Sequence, residues 1–473
     1  MDQYEITTQA GILHYNMKWL DDDKGKQKKG AFLKSIWLQT CAYLYTNKIK
    51  PTMLEWSCPG SMMEADINEL DKIYNSLCKL TPIVGAKTTL AYHQNAVTEA
   101  EAVCSYALSQ NFGLNSNNMF LGIDVGGSTS DILLLAKDSD NGNKATLYRE
   151  SSVRLAAGVF FNAVIKSDTF RQALLSFHEG HKTNVYVSNI KEILTEPSKA
   201  PYFLNSIFDQ LKTTEDYEEF YSSIDVNAKF VFTIPAYVTG MLLYYSGMLI
   251  GKTIKAEHLE RISRVDVLSF GKGGRLFHWL LNSAGVRATR EYYADCLNAG
   301  VRMVVGKELD VVYRDEIAED NKAEVAKGLC DPKELEKKAF SSESDICGES
   351  GVKYIMANGA PKELQAEDEL TGDYFANEMN NFDFSGIENF EKFMNIFLDF
   401  VSVKTHLYPQ ADNALRSDLA DLPNRIASYI CNNDTEYRKA RKSEDGSFHY
   451  HQPLIIAEGV CFLDTLIKKV FDH

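Results

Sequence analysis

Two apolar runs joined by a glycine turn constrain this chain more than any other feature: MFLGIDV at 119–125, then Gly-Gly-Ser-Thr, then SDILLLA at 130–136. Both runs read as strands, and a tight glycine connection between strands is a hairpin, not the strand-to-helix turn of a βα unit. The surrounding segments alternate. Residues 30–47 carry apolar side chains at helical spacing, 53–58 (MLEWSC) read as a strand closed by Pro59-Gly60, and 63–80 read as a helix. Residues 82–86 suggest a short strand and 97–110 (VTEAEAVCSYALSQ) another helix. Beyond the hairpin, 160–260 are mostly helical, with a buried apolar helix at 238–250. A strand at 264–270 (RVDVLSF) leads through Gly271-Lys272-Gly273-Gly274 into a helix at 275–284, and 301–305 look strand-like. The charged stretch 314–338 suggests an exposed helix, 340–384 are acidic and turn-rich, and amphipathic helices return from Ile387. Such alternation makes the fold class α/β.

At 473 residues the chain is too long for one small core. A formal charge of −15 and the lack of a basic stripe exclude a nucleic-acid binder, since phosphate contacts need clustered cations. The one basic run, KGKQKK at 24–29, follows three aspartates and reads as a solvated loop. Nine scattered cysteines with no C-x-x-C pair argue against a disulfide framework or zinc site and suit a reducing cytoplasm. The apolar stretch 238–250 is too short to span a bilayer, so no membrane span is expected. His449 and His451 suggest a polar loop, and Cys58 a packed thiol, not a nucleophile.

The chemistry concentrates at Asp124-Val-Gly126-Gly127-Ser128-Thr129-Ser-Asp131. Consecutive glycines let a charged ligand approach the backbone, and their N–H groups can join the Ser128 and Thr129 hydroxyls around phosphate oxygens. Asp124 and Asp131 can hold a hydrated magnesium ion there, because magnesium needs only one or two carboxylates. The alternative is a plain turn flanked by solvated aspartates; against it, Asp124 sits inside an apolar strand, where an unpaired carboxylate is costly.

The motif D-x-G-G-[GS]-T-x-D resembles the second phosphate loop of the actin, heat-shock chaperone ATPase and sugar-kinase superfamily. Other stretches follow in that superfamily's order: Leu54-Glu-Trp-Ser-Cys-Pro59, Glu99-x-x-Ala102 on the connecting helix, Gly158 in RLAAGVFF, Phe270-Gly271-Lys-Gly273-Gly274-Arg275 as an adenosine loop, and AEVAKG at 323–328. The resemblance implies two ribonuclease-H-like domains with mixed sheets plus a helical C-terminal extension, divided near 1–158, 159–338 and 339–473. It implies ATP and Mg as cofactors. Asp124 and Asp131 would serve the metal and Glu99 the attacking water. Gly126, Gly127, Ser128 and Thr129 would hold the phosphates, with Gly158 and then Gly271, Gly273, Gly274 and Arg275 completing the nucleotide site. The implied partners are nucleotide and a protein partner or further copies of the chain.

Two departures qualify this. The superfamily's opening D-x-G-[TS] hairpin is not found, which implies an incomplete first domain and half a phosphate clamp. The connecting helix reads T-E-A-E-A, so Glu99 and Glu101 compete for the catalytic position, with the spacing to Ala102 favouring Glu99. Gly271-x-Gly273 also resembles the start of a dinucleotide fingerprint, or a simple tight turn. Three functions stay open: an ATPase or Mg-ATP-dependent switch, a non-catalytic scaffold on the same fold, and a small-molecule kinase.

Overall fold

A computed structural model describes residues 23–58, 62, 64–81, 87–90, 97–109, 113–138, 144–180, 214–314, 323–331, 336–337, 346–355, 359–369, 382–384, 386–432 and 452–471. The first helix, α1, runs over Asp23–Thr46, earlier than its apolar spacing suggests. The strand expected at 53–58 is split into β1 (Pro51–Leu54) and β2 (Ser57–Cys58). Helix α2 (Glu64–Cys78) crosses to β3 (Lys87–Leu90) and β4 (Val97–Thr98), which pair in parallel with β1 and β2 respectively. The strand expected at 82–86 lies outside the described residues.

Helix α3 begins at Glu99 and ends at Ser109, because Val97 and Thr98 are spent on β4. Then β5 (Asn118–Val125), β6 (Ser130–Asp138) and β7 (Lys144–Val153) form an antiparallel meander. Helices α4 (Gly158–Lys166), α5 (Asp168–Gly180) and α6 (Thr214–Ser223) follow. They lead to α7 (Thr233–Ala256), β8 (Arg264–Phe270), α8 (Arg275–Ala284), α9 (Val286–Val305) and β9 (Asp310–Tyr313). Helix α10 (Glu324–Cys330) and strand β10 (Glu336–Lys337) come next. Short strands β11 (Lys353–Ile355), β12 (Pro361–Glu363) and β13 (Phe382–Asp383) make a small antiparallel sheet. The chain closes with α11 (Glu388–Leu398), α12 (Ala411–Ala420), α13 (Leu422–Asn432) and α14 (Leu454–Phe471).

The main sheet has the order β10-β7-β6-β5-β8-β9 and is mixed, with β8 parallel to both β5 and β9. It spans the division expected at residue 158: β8 pairs with β5 from Asn118↔Arg264 to Asp124↔Phe270, so the hairpin and the 271–274 loop share one sheet. Both faces are covered, which is why these strands are almost continuously apolar. One face presents Phe120, Leu133, Leu135, Leu147, Leu268 and Phe270 to Ala100, Val103, Cys104 and Ala107 of α3. The other buries Leu121, Ile123, Val125, Leu134, Val265 and Val267 in the largest core, beside α4 and α7.

Residues 301–305 are helical, not strand-like. Their β-branched valines lose to a helical pattern, since Tyr292, Tyr293, Cys296, Leu297, Gly300 and Val301 are all buried on one side of α9. Gly306, at φ 66°, then ends the helix by donating its N–H to Arg302 O. Of the stretch 314–338, α10 is helical but not wholly exposed, because Glu324 and Gly328 are buried. The apolar helix is longer than its core sequence suggested. With the turn before it, Phe230–Ala256 is long and apolar enough to cross a bilayer, yet its whole apolar window is buried inside the protein.

The C-terminal helices join the largest core. Tyr237 of α7 packs its ring on Phe393 and Phe397 of α11 and Phe462 of α14, and its hydroxyl donates to Gly459 O at 2.8 Å.

Candidate functional site

The β5–β6 register runs to Asp124↔Asp131 and Val125↔Ser130, and Gly126 N–H donates to Thr129 O at 2.9 Å to close the tip. Gly126, Gly127 and Ser128 are exposed. Directly opposed residues project to the same face, with Cβ atoms about 4.5–5.5 Å apart. Asp124 and Asp131 therefore point together, onto the side of the sheet that α3 covers. Asp131 is buried and Asp124 half-buried. Like charges so opposed destabilise a sheet unless something between or beside them compensates.

The start of α4 holds the back of the tip. Ala157 N–H donates to Gly126 O at 3.1 Å and Gly158 N–H to Gly127 O at 3.0 Å. A Cβ at position 158 would lie 2.3 Å from Gly127 O, so only glycine permits this approach. The Ser130 hydroxyl adds a buried hydrogen bond to Leu155 O at 2.6 Å. Gly158 thus shapes the 126–129 tip from behind, and its N–H is committed to the protein.

The 271–274 loop closes a second side. Gly271 has φ 68°, a left-handed conformation, and a Cβ there would lie 2.2 Å from Asp124 Oδ1. A Cβ on Gly273 would strike Val125 O at 2.6 Å and Ala157 Cβ at 2.7 Å. Gly274 is buried over Ser269, whose hydroxyl shares a 2.7 Å hydrogen bond with the Tyr313 hydroxyl. Gly273 and Gly274 are packing glycines; the half-buried faces of the loop are Gly271, Lys272 and Arg275.

On the third side, Thr98 and Glu101 cap α3 reciprocally. Glu101 N–H donates to Thr98 Oγ1 at 3.1 Å, and Thr98 N–H donates to Glu101 Oε2 at 2.7 Å. The Thr98 hydroxyl donates to Glu150 Oε2 of β7 at 3.2 Å. Glu101 is consumed by this capping box, which leaves Glu99 as the more accessible acid of the pair. Glu99 is half-buried, and its charge adds to burial in raising the pKa of the Tyr74 phenol on α2. Sequence reading missed Thr98 and Glu150. The signal for Thr98 was present, since T-x-x-E ahead of an apolar run is a capping box; nothing in the sequence links Glu150 to it.

Helix α10 lies directly on α3: a Cβ on Gly328 would sit 1.7 Å from Ala102 O, and Val325 packs into the core beneath α3. The two segments of the AEVAKG and EAEA patterns are therefore in backbone contact. Cys58 is buried, with its sulfur 3.8 Å from Val97 O, and His449 and His451 lie outside the described residues.

The opposite end of the sheet is built differently. Asp266 is buried and accepts from Asn118 Nδ2 at 2.9 Å, Arg264 Nη2 at 2.8 Å and Arg314 Nε at 2.9 Å. It borders a cavity of about 290 Å³ lined also by Ala107, Leu108, Leu114, Phe120 and Leu135. The eight residues of β5 run from this end to the tip, about 23 Å from first to last at strand spacing.

Among the described residues no group of three or more His, Cys, Asp and Glu side chains is placed to hold a metal ion. A site of two carboxylates falls below that number and suits only a cation that keeps its water. No family model matches the chain, and no curated protein matches it.

Proposed function

We propose that the chain binds Mg-ATP at the β5–β6 tip and works as an actin-like, nucleotide-dependent switch. The observation that carries this reading is the opposition of Asp124 and Asp131 beside an exposed glycine tip, with Gly271 against the Asp124 carboxylate. A hydrated divalent cation fits that pair: it offsets the like charges and needs no third protein ligand. Magnesium would neutralise the phosphates beside it. The N–H groups and hydroxyls at 127–129 would hold phosphate oxygens, and Asp124 and Asp131 would orient the metal's waters. Arg275 and Lys272, at the rim of the 271–274 loop, would meet the nucleoside, while Gly273 and Gly274 keep the loop flat against β5. A mixed sheet whose meander carries the phosphate-type tip, and whose next parallel strand carries the adenosine-type loop, agrees with one ribonuclease-H-like half. The α3–α10 contact at Ala102 and Gly328 adds support, because it unites two more of the resembling stretches.

Hydrolysis is the less supported part. Glu101 is tied into the helix cap, which leaves Glu99 to serve the attacking water, and binding without turnover is the second reading. A thermal-shift titration of the 473-residue chain separates the cases. Ligand at a hundredfold excess over Kd stabilises by about 2.7 kcal/mol. Asp124→Asn keeps the shape but removes a metal-facing charge, so it should weaken Mg-ATP more than metal-free ATP. An unchanged magnesium dependence in that variant would make Asp124 a structural strand residue. Phosphate release by the wild type, lost in Glu99→Gln, would favour the ATPase.

A further inference from the structure

Far from the hairpin, two carboxyls meet inside the core. Glu349 is fully buried and accepts three backbone hydrogen bonds: Ser350 N–H and Asn389 N–H reach Oε1 at 2.7 and 2.8 Å, and Phe390 N–H reaches Oε2 at 2.9 Å. Asn389 and Phe390 belong to the first turn of α11, so Glu349 caps that helix from outside. Glu458 of α14 is also fully buried, and among the described residues no N–H or hydroxyl donor reaches either of its oxygens. The chain at Glu349 lies on the first turn of α14, where Ile455 N–H donates to Cys347 O at 3.4 Å and a Cβ on Gly348 would sit 2.4 Å from Ile455 Cγ2, so the two buried carboxyls face each other. Two carboxylates so buried and facing each other cannot both stay ionised, so the pair keeps one proton. Three N–H donors favour the ionised form of Glu349, which places the proton on Glu458.

We propose that this shared proton latches α14 onto the start of α11, and that the latch loosens as pH rises. The titratable neighbours do not replace the proton. Tyr237 and Tyr244 face the pair from α7, Cys461 from α14 and Cys347 from the chain beside Glu349. Asp368 acts on Cys347, and Arg302, which acts on Tyr244, is ion-paired with Glu308. Burial pushes both carboxyls up, and the Glu349 charge pushes Glu458 further. An acid held protonated in the fold stabilises it fully below its unfolded pKa of about 4.3, and that stability is lost as pH rises through the raised folded value. Between those limits the unfolding constant grows by up to about tenfold per pH unit. The latch also reaches the hairpin's support, because Gln452, just before α14, accepts Arg154 N–H at 3.0 Å ahead of the 157–158 clamp.

The test compares the full chain with Glu458→Gln, whose carboxamide can donate to Glu349 at any pH. Hydrogen exchange across 454–471, corrected for intrinsic rates, is followed from about pH 5 to about pH 9, the range over which a raised carboxyl would titrate. The opening constant should climb more steeply with pH in the wild type than in the variant, and the variant should be better protected at the alkaline end. Equal slopes would overturn the proposal. Should Glu458→Gln fail to fold, infrared spectra of the wild type in heavy water decide. A protonated-carboxyl C=O band is expected near neutrality, and its absence would refute the shared proton. Neither readout involves nucleotide, so failure here leaves the hairpin reading untouched, and the reverse.

Discussion

Replacing Gly158 by alanine sets two physical effects against each other. Gly158 opens α4 outside the left-handed region, so helix propensity alone favours alanine by up to about 1 kcal/mol. The geometry says otherwise. The new Cβ would lie 2.3 Å from Gly127 O and 3.4 Å from its carbonyl carbon, and the obstacle is backbone, not a side chain that can swing away. Relief requires α4 and the tip to separate by roughly 1 Å, at the overpacking cost of about 1–3 kcal/mol. Separation also weakens the 3.0 Å bond from Gly158 N–H to Gly127 O, a further loss of about 0.5–1.5 kcal/mol. The net expectation is a destabilisation of about 1–3 kcal/mol. Urea unfolding read by circular dichroism measures it as a lower midpoint at unchanged slope. Gly127→Ala is the control: a Cβ there meets nothing within 4 Å, so its stability should stay close to wild type. A Gly158→Ala chain as stable as the wild type, or more so, would refute the claim that α4 clamps the tip by close backbone approach.

Thr98→Ala removes both the α3 cap and the donor to Glu150, and should cost about 1–2 kcal/mol in the same assay, while Thr98→Ser should recover most of it. For Asp266, burial raises the pKa, but hydrogen bonds from Arg264, Asn118 and Arg314 outweigh it and hold the carboxyl below its usual value. Its stabilisation is therefore present above the unfolded pKa of about 3.9 and lost as pH falls through the lower folded value. Asp266→Asn should flatten that acid limb of the stability profile and cost about 2–3 kcal/mol at neutrality, less than a fully buried pair because Arg264 is partly exposed. Cys330 is exposed whereas Cys104, Cys296 and Cys347 are buried with raised pKa values, so a maleimide followed by peptide mapping should label Cys330 well before those three.

Local chemistry was legible in the sequence where it was carried by adjacent residues. The hairpin followed from two apolar runs and a glycine turn, and β8 followed from RVDVLSF before Gly271. What escaped was set by distant partners. The five residues 301–305 have the side chains of a strand, and only the buried row that starts at Tyr292 makes them the last turn of α9. β7 was missed because KATLYRESSV mixes charges into its pattern; Leu147 and Val153 face opposite cores while Glu150 turns to Thr98. The roles of the site glycines were only half legible. The resemblance gives Gly273 and Gly274 a place at the nucleotide; the structure adds that their missing side chains let the loop rest on Val125, Ala157 and Ser269. That packing role is invisible until β8 is known to lie beside β5.

These contacts bear on how a ligand at the tip would act on the rest of the molecule. A ligand shifts an equilibrium only by the difference in its affinity for two states, so something must move when it binds. The tip has little room to move alone: Gly126 and Gly127 carbonyls are bonded to the start of α4, and Asp124 and Val125 are against Gly271 and Gly273. Closely packed backbone transmits displacement and does not absorb it. A shift of the tip by even 1 Å must therefore carry α4 or open the 271–274 loop, whereas Thr98 at the start of α3 meets Glu150 of β7 through a side-chain hydrogen bond that can lengthen or re-form. The meander, α4 and the 271–274 loop are thus locked together by close backbone contacts, whereas α3, with α10 against it at Gly328, is joined to the sheet through side chains. Motion between those two groups is the change that a ligand at the tip would have the leverage to bias.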